Sequence, residues 1–139
     1  MRTEKQIEIY FFKKAPEGKI LFLLAKRTPK RGGFWQPLTG GVEQGETLEQ
    51  TITRESEEEF GITKINKVIN TGYSFEFDYE GHHSEDVFGA EVEFGIEIIL
   101  SDEHSEFKWL EKDEVFKLLI WPGNIEGFKK LCKILKIGQ

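Results

Sequence analysis

Residues 47–61 read as a helix whose two ends are written into the chain and whose outer face works against it. Thr47, with Gln50 three residues on, forms a capping box at the start. Gly61 supplies the residue that most readily takes the left-handed conformation after a helix end. Leu48, Ile52, Ser56 and Phe60 recur at four-residue spacing and define a core-facing stripe, with Ser56 small enough to let another element approach. On the other face Glu55, Glu57, Glu58 and Glu59 crowd the last turn, where the helix dipole is already negative. Each such charge costs about 0.3–1 kcal/mol at an exposed site. Glu55 also repels Glu58 and Glu59 at three- and four-residue spacing, and Arg54 is the only cation nearby. Local stability does not select this pattern. A solvated acidic face is the plain reading; a functional one explains the cost. Glu55, Glu58 and Glu59 span an arc of about 100° on a helical wheel, so they can converge on a hard divalent cation that prefers oxygen ligands. Magnesium retains waters and accepts phosphate oxygens, which suits phosphoryl chemistry.

The segment from Gly40-Gly41-Val42-Glu43-Gln44-Gly45-Glu46 through Arg54-Glu55-Ser56-Glu57-Glu58-Glu59-Phe60-Gly61-Ile62 resembles the Nudix box at every fixed position. Its one departure is Ser56, where a hydrophobic residue is usual, and that bears on packing rather than on ligands. The resemblance implies a Nudix fold, an α/β/α sandwich with a mixed sheet, in which a strand, a loop and a helix carry the site. By that resemblance Glu55, Glu58 and Glu59 bind Mg²⁺ (with Mn²⁺ as a possible substitute), and the Gly40 carbonyl adds a ligand. Arg54 and Glu46 form an ion pair tying loop to helix. The implied chemistry is attack of water on a phosphorus of a diphosphate linked to a nucleoside or a similar group.

Two further segments narrow the substrate. Residues 34–46, beginning Phe34-Trp35-Gln36-Pro37-Leu38, are similar to dihydroneopterin triphosphate and dATP pyrophosphohydrolases of this superfamily. Glu103-His104-Ser105-Glu106-Phe107-Lys108-Trp109-Leu110 is similar to a segment shared with asymmetric diadenosine tetraphosphate hydrolases. The resemblance makes Glu103 a further metal ligand or general base, with Glu106 as the fallback. Lys26, Arg27, Lys30 and Arg31 place four cations in six residues beside the catalytic loop. They form a solvated basic edge or, with Lys26 and Arg27 foremost, a grip on substrate phosphates. Trp35 fits core packing or ring contact with substrate, and Trp109 fits the core or a base-stacking platform. His104 reads as a hydrogen-bonded structural partner, and His82 and His83 as exposed turn residues.

The remaining pattern fits a mixed sheet between helices. Ile7, Ile9 and Phe11 alternate with Glu8 and Tyr10, a strand with one buried face. A turn at Pro16, Glu17 and Gly18 precedes residues 20–25, an apolar run fit for a strand covered on both sides. Residues 26–41 read as a basic, Gly- and Pro-containing connection. Residues 62–69 read as a strand, and Tyr73, Phe75, Phe77 and Tyr79 alternate in another, turning at Gly81-His82-His83 and returning through Val87. Val92, Phe94, Ile96 and Ile98 alternate again, and residues 107–110 form a last short strand. A short helix follows over 113–119, and Asn124 can cap a final helix with Ile125, Phe128, Leu131, Cys132 and Leu135 on one face.

At 139 residues the chain fits one domain, 1–139. The formal charge of −6 argues against a duplex-binding surface, while leaving room for anionic substrates if metal ions neutralise the site. The single Cys132 excludes an intramolecular disulfide and reads as a core thiol. Glu8 interrupts the only apolar run near the start, and no stretch approaches the roughly 20 apolar residues of a membrane span. These features point to a cytoplasmic enzyme, monomer or homodimer, acting on a small nucleotide with neither nucleic acid nor membrane as partner. The leading expectation is cleavage of a nucleoside or pterin triphosphate to monophosphate and pyrophosphate. Asymmetric hydrolysis of a dinucleoside polyphosphate is the alternative. A non-catalytic Nudix-fold binding module is the third, and it gives no reason to keep the destabilising Glu55, Glu58 and Glu59.

Overall fold

A computed structural model describes residues 2–137; Met1, Gly138 and Gln139, the ends of the expected 1–139 domain, lie outside the described residues. The centre of the fold is β1 (Arg2–Lys14), a 13-residue strand with neighbours on both edges. It pairs in parallel with β6 (His82–Glu91) on one edge. On the other edge it pairs antiparallel with β4 (Leu38–Glu43) along its first part and with β2 (Ile20–Arg27) at its end. β2 extends the sheet to β3 (Trp35–Gln36) and β7 (His104–Leu110), and β5 (Lys67–Asp78) forms a hairpin with β6. The result is one seven-stranded mixed sheet.

Helices cover both faces. Helix α1 (Leu48–Phe60) packs its Ile52 and Phe60 against Ile7, Ile9, Phe11, Leu23 and Ala25. Helices α2 (Lys112–Leu118) and α3 (Pro122–Ile134) bury Val115, Phe128, Leu131 and Cys132 against Tyr10, Phe12, Phe22 and Leu24. This is the expected α/β/α sandwich. The Thr47–Gln50 capping box is formed in full, and Gly61 takes the left-handed conformation at φ 65°.

Several expectations change. Glu8 and Tyr10 are as buried as their alternating neighbours, because β1 lies at the middle of a sheet with helices on both sides. Residues 62–66 are irregular and the strand begins at Lys67. The hairpin turns at Tyr79, Glu80 and Gly81, so His82 and His83 open β6 instead of forming the turn. Residues 92–100 carry no strand: the Ile96 amide bonds back to Glu93 in a turn, while Val92, Ile96 and Ile98 still face the α1 core. The alternation there records burial without strand pairing. Asn124 does not cap α3, which starts at Pro122 with Trp121 as N-cap; Asn124 lies inside the first turn and is buried.

Candidate active site

Strand β4, its loop and α1 bring the acidic residues together through one guanidinium. Arg54 Nε donates to Glu46 Oε2 at 2.6 Å, and Nη2 donates to Glu46 Oε1 and to the Gly41 carbonyl, both at 2.9 Å. Nη1 reaches Glu55 Oε2 at 3.0 Å and Glu58 Oε1 at 2.8 Å. The cation that looked outnumbered on the helix is thus shared among three carboxylates and the loop backbone. Glu46 also accepts from the Glu43 amide and from Thr51 Oγ1, so the loop is tied to the helix at several points. The Arg54 guanidinium, with those further bonds, holds the Glu46 carboxyl down to about 2.

Gly40 shows why the loop lacks a side chain there. A Cβ at this position would sit 2.4 Å from the carboxyl carbon of Glu55, which is itself buried. The backbone of β4 therefore lies directly against that carboxylate. Glu59 stands one turn further along. Burial raises its carboxyl above the usual range, opposed by the Ser101 hydroxyl, which donates to Oε1 at 2.7 Å.

Glu103 joins this side of the molecule. Its carboxylate lies 3.9 Å from Arg27 Nη2 and 3.7 Å from Arg31 Nη1, and its charge, after burial, adds to the upward shift at Glu59. Glu106 lies elsewhere, across from Lys26 on the paired strand, with 4.0 Å between Nζ and Oε2. Lys26 also faces Trp35 across the β2–β3 pair, and Trp35 packs against the α2/α3 core, with Lys108 Nζ 5.0 Å from its ring. The residues expected to grip substrate are therefore divided: Arg27 stands beside Glu103, whereas Lys26 and Trp35 belong to the opposite face. Trp109 packs against the α1 core.

His104 departs from expectation. It is buried beside the Phe60 ring, neither ring nitrogen has a hydrogen-bond partner among the described residues, and Glu59 Oε1 is 3.6 Å from Nδ1. Burial, with Arg27 and Arg31 nearby, lowers its pKa. Sequence reasoning missed Ser101 and Thr51, both of which hold site carboxylates. Ser101 was hidden because residues 92–98 resemble a strand, which obscures the loop that delivers it.

Glu55, Glu58 and Glu59 run along α1 without drawing to a point; among the described residues no three His, Cys, Asp or Glu side chains are grouped closely enough to hold a metal ion. The donor set nevertheless suits a hard cation. It is all oxygen, it sits on one side of a helix, and the missing Cβ at Gly40 leaves room for the Glu55 carboxylate against β4. A groove of about 730 Å³ beside the first half of α1, lined by Ile52, Thr53, Ile62, Asn66 and Asn70, includes none of these acidic residues.

Residues 6–131 match the NUDIX domain, and the chain belongs to the Nudix family. An asymmetrical bis(5'-nucleosyl)-tetraphosphatase of Sus scrofa is 38% identical over 109 residues, covering 76% of this chain and 69% of that protein. An octanoyltransferase of Myxococcus xanthus is 32% identical over 120 residues, 84% of this chain and 33% of that protein. This chain thus spans from a third to four fifths of the length of the curated relatives it matches. Among solved structures, a C. elegans Ap4A hydrolase in a binary complex superposes with a TM-score of 0.81 at 26% identity, covering 95% of this chain and 97% of that one. Nudix hydrolases generally use divalent metals such as Mg²⁺. No helix among the described residues is long and apolar enough to cross a membrane.

Proposed function

We propose that this chain is a Mg²⁺-dependent hydrolase of a nucleoside-linked polyphosphate, working as a single cytoplasmic domain, monomer or homodimer, on a small nucleotide. The observation that carries the reading is the close approach of the Gly40 backbone to the buried Glu55 carboxylate beside an acidic helix face. Glu55, Glu58, Glu59 and the Gly40 carbonyl would hold the metal, with Mn²⁺ as a substitute. Bound metal supplies charge neutralisation for the phosphates and lowers the pKa of the attacking water. Arg54 and Glu46 keep the loop against the helix. Arg27 and Arg31 present guanidinium groups suited to phosphate oxygens, and Glu103 between them accepts the proton from water.

The substrate we favour is a dinucleoside tetraphosphate cut asymmetrically. Its support is the 38% identity to the Sus scrofa tetraphosphatase and the likeness to the C. elegans Ap4A hydrolase. This reverses the order expected from residues 34–46, whose similarity to dihydroneopterin triphosphate and dATP pyrophosphohydrolases keeps a triphosphate as second reading. Rates on diadenosine tetraphosphate, dATP and dihydroneopterin triphosphate, with products identified, test both. We expect ATP and AMP from the dinucleotide and a kcat/KM at least about tenfold higher, or ~1.4 kcal/mol in transition-state binding. A preference of that size for a triphosphate, with pyrophosphate released, overturns the first reading in favour of the second. Orthophosphate as sole product contradicts both.

A further inference from the structure

Resting on the metal-dependent reading above, we infer that Ser101 is a positioning residue that locks the Glu59 carboxylate to the Glu103 turn, so that helix and loop serve one metal centre. Three contacts converge on it. Its hydroxyl donates to Glu59 Oε1 at 2.7 Å and accepts from the Glu103 amide at 3.3 Å. Its own amide donates to the Glu59 carbonyl at 3.0 Å, filling one of the acceptors that a helix leaves open at its C-terminus. The Ile99 amide does the same for Phe60, and a Cβ at Gly61 would meet Ile99 at 2.9 Å, so the strap lies tight against the end of α1. Beyond Ser101 the chain is fastened again, since the Thr28 amide donates to the Glu103 carbonyl at 3.1 Å.

The hydroxyl does what the backbone contacts alone do not. A carboxylate at a helix C-terminus is free to rotate about its side-chain torsions and is repelled by Glu58 and Glu103. A hydroxyl donor selects one orientation for Oε1 and leaves Oε2 for a cation. By holding the Glu103 amide with the same oxygen, Ser101 couples that orientation to the position of the turn. His104, 3.6 Å from the same Oε1, closes the remaining side.

The test is Mn²⁺ affinity of the full chain without nucleotide, measured by the loss of the free-ion paramagnetic resonance signal, alongside steady-state kinetics. Ser101→Ala should weaken Mn²⁺ binding by about tenfold, the low end for loss of a group that orients a metal ligand, and Ser101→Thr should restore it to within about twofold. With saturating metal, KM for the nucleotide should stay at the wild-type value. In a Glu103→Ala background the effect of Ser101→Ala on affinity should shrink, because the two act as a unit. Melting in chelator reports the fold separately. Wild-type affinity in Ser101→Ala overturns the inference, and so does a loss that Thr fails to restore or that appears equally as a lower melting temperature in chelator. Absence of Mn²⁺ binding by the wild-type chain defeats the metal-dependent reading itself.

Discussion

Carboxylates gather on both faces of the central sheet and are held there in opposite ways. On the α1 face Glu46, Glu55 and Glu58 surround the Arg54 guanidinium at 2.6–3.0 Å, at a surface where ions can approach. On the α3 face Glu8 and Glu85 are buried beside Tyr10 and Asn124, with Cys132 as the other titratable neighbour. Asn124 Nδ2 donates to Glu8, and the Tyr10 hydroxyl donates to the Asn124 carbonyl at 3.0 Å. Burial pushes the Glu85 carboxyl up to about 10 and raises Glu8 as well. Both carboxyls therefore favour their protonated form. The difference separates carboxylates paired with a guanidinium from carboxyls held toward the neutral form by burial, although the sequence shows only Glu in both places.

The α1 face should give the largest response. Glu59→Gln should lower turnover at least ~100-fold, the scale of losing metal-based charge stabilisation. In chelator the same variant should melt at an equal or higher temperature, because an amide relieves the buried charge and still accepts from Ser101. Near-full activity would remove the metal site from this face.

Glu103, in the turn before β7, and Glu106, within it, should differ next. Glu103→Ala should cost at least about tenfold in turnover, the lower range of a lost proton acceptor, and Glu106→Ala less than about twofold. Initial rates of the two variants, with circular dichroism to verify folding, decide it. A larger loss at Glu106 would move the site across the sheet.

The smallest effect should fall on stability alone. With pKa values in the folded chain above those of unfolded carboxyls, Glu8 and Glu85 favour the protonated folded state. Stability from this pair is complete below the usual carboxyl pKa and erodes as pH rises toward about 10. Each proton involved adds a slope of up to about 1.4 kcal/mol per pH unit in that window. Glu85→Gln removes one titrating group, so its melting temperature should fall less between pH 7 and pH 9 than that of the wild type, with activity at pH 7 preserved. Parallel melting curves would show that the pair does not favour the protonated form.

The α1 segment was legible because its signals are local. The Thr47–Gln50 box, Gly61, the spacing of Glu55, Glu58 and Glu59, and the Arg54–Glu46 pair all lie within 16 residues, and the structure forms each of them as a helix end, a helix face or an ion pair. Where contacts span long stretches of chain, periodicity misled. Glu8 and Tyr10 alternate as if facing solvent, yet α3 covers them from more than 110 residues away. Asn124 has the type of a helix cap but spends its amide on Glu8. Residues 92–98 carry the period of a strand but pair with none, their apolar side chains facing the α1 core. The division of Lys26 and Trp35 from Arg27 depends on β-strand pairing that sets which side of the sheet each residue faces, and Glu103 stands apart from Glu106 because it lies in the turn before β7. Sequence alone thus determined the helix with its charges and the chemistry those charges suit, because capping and i, i+4 contacts act within a few residues. Only tertiary structure decided which acids meet a cation, which are buried away from one and which serine holds Glu59, because burial and partners come from elements far apart along the chain.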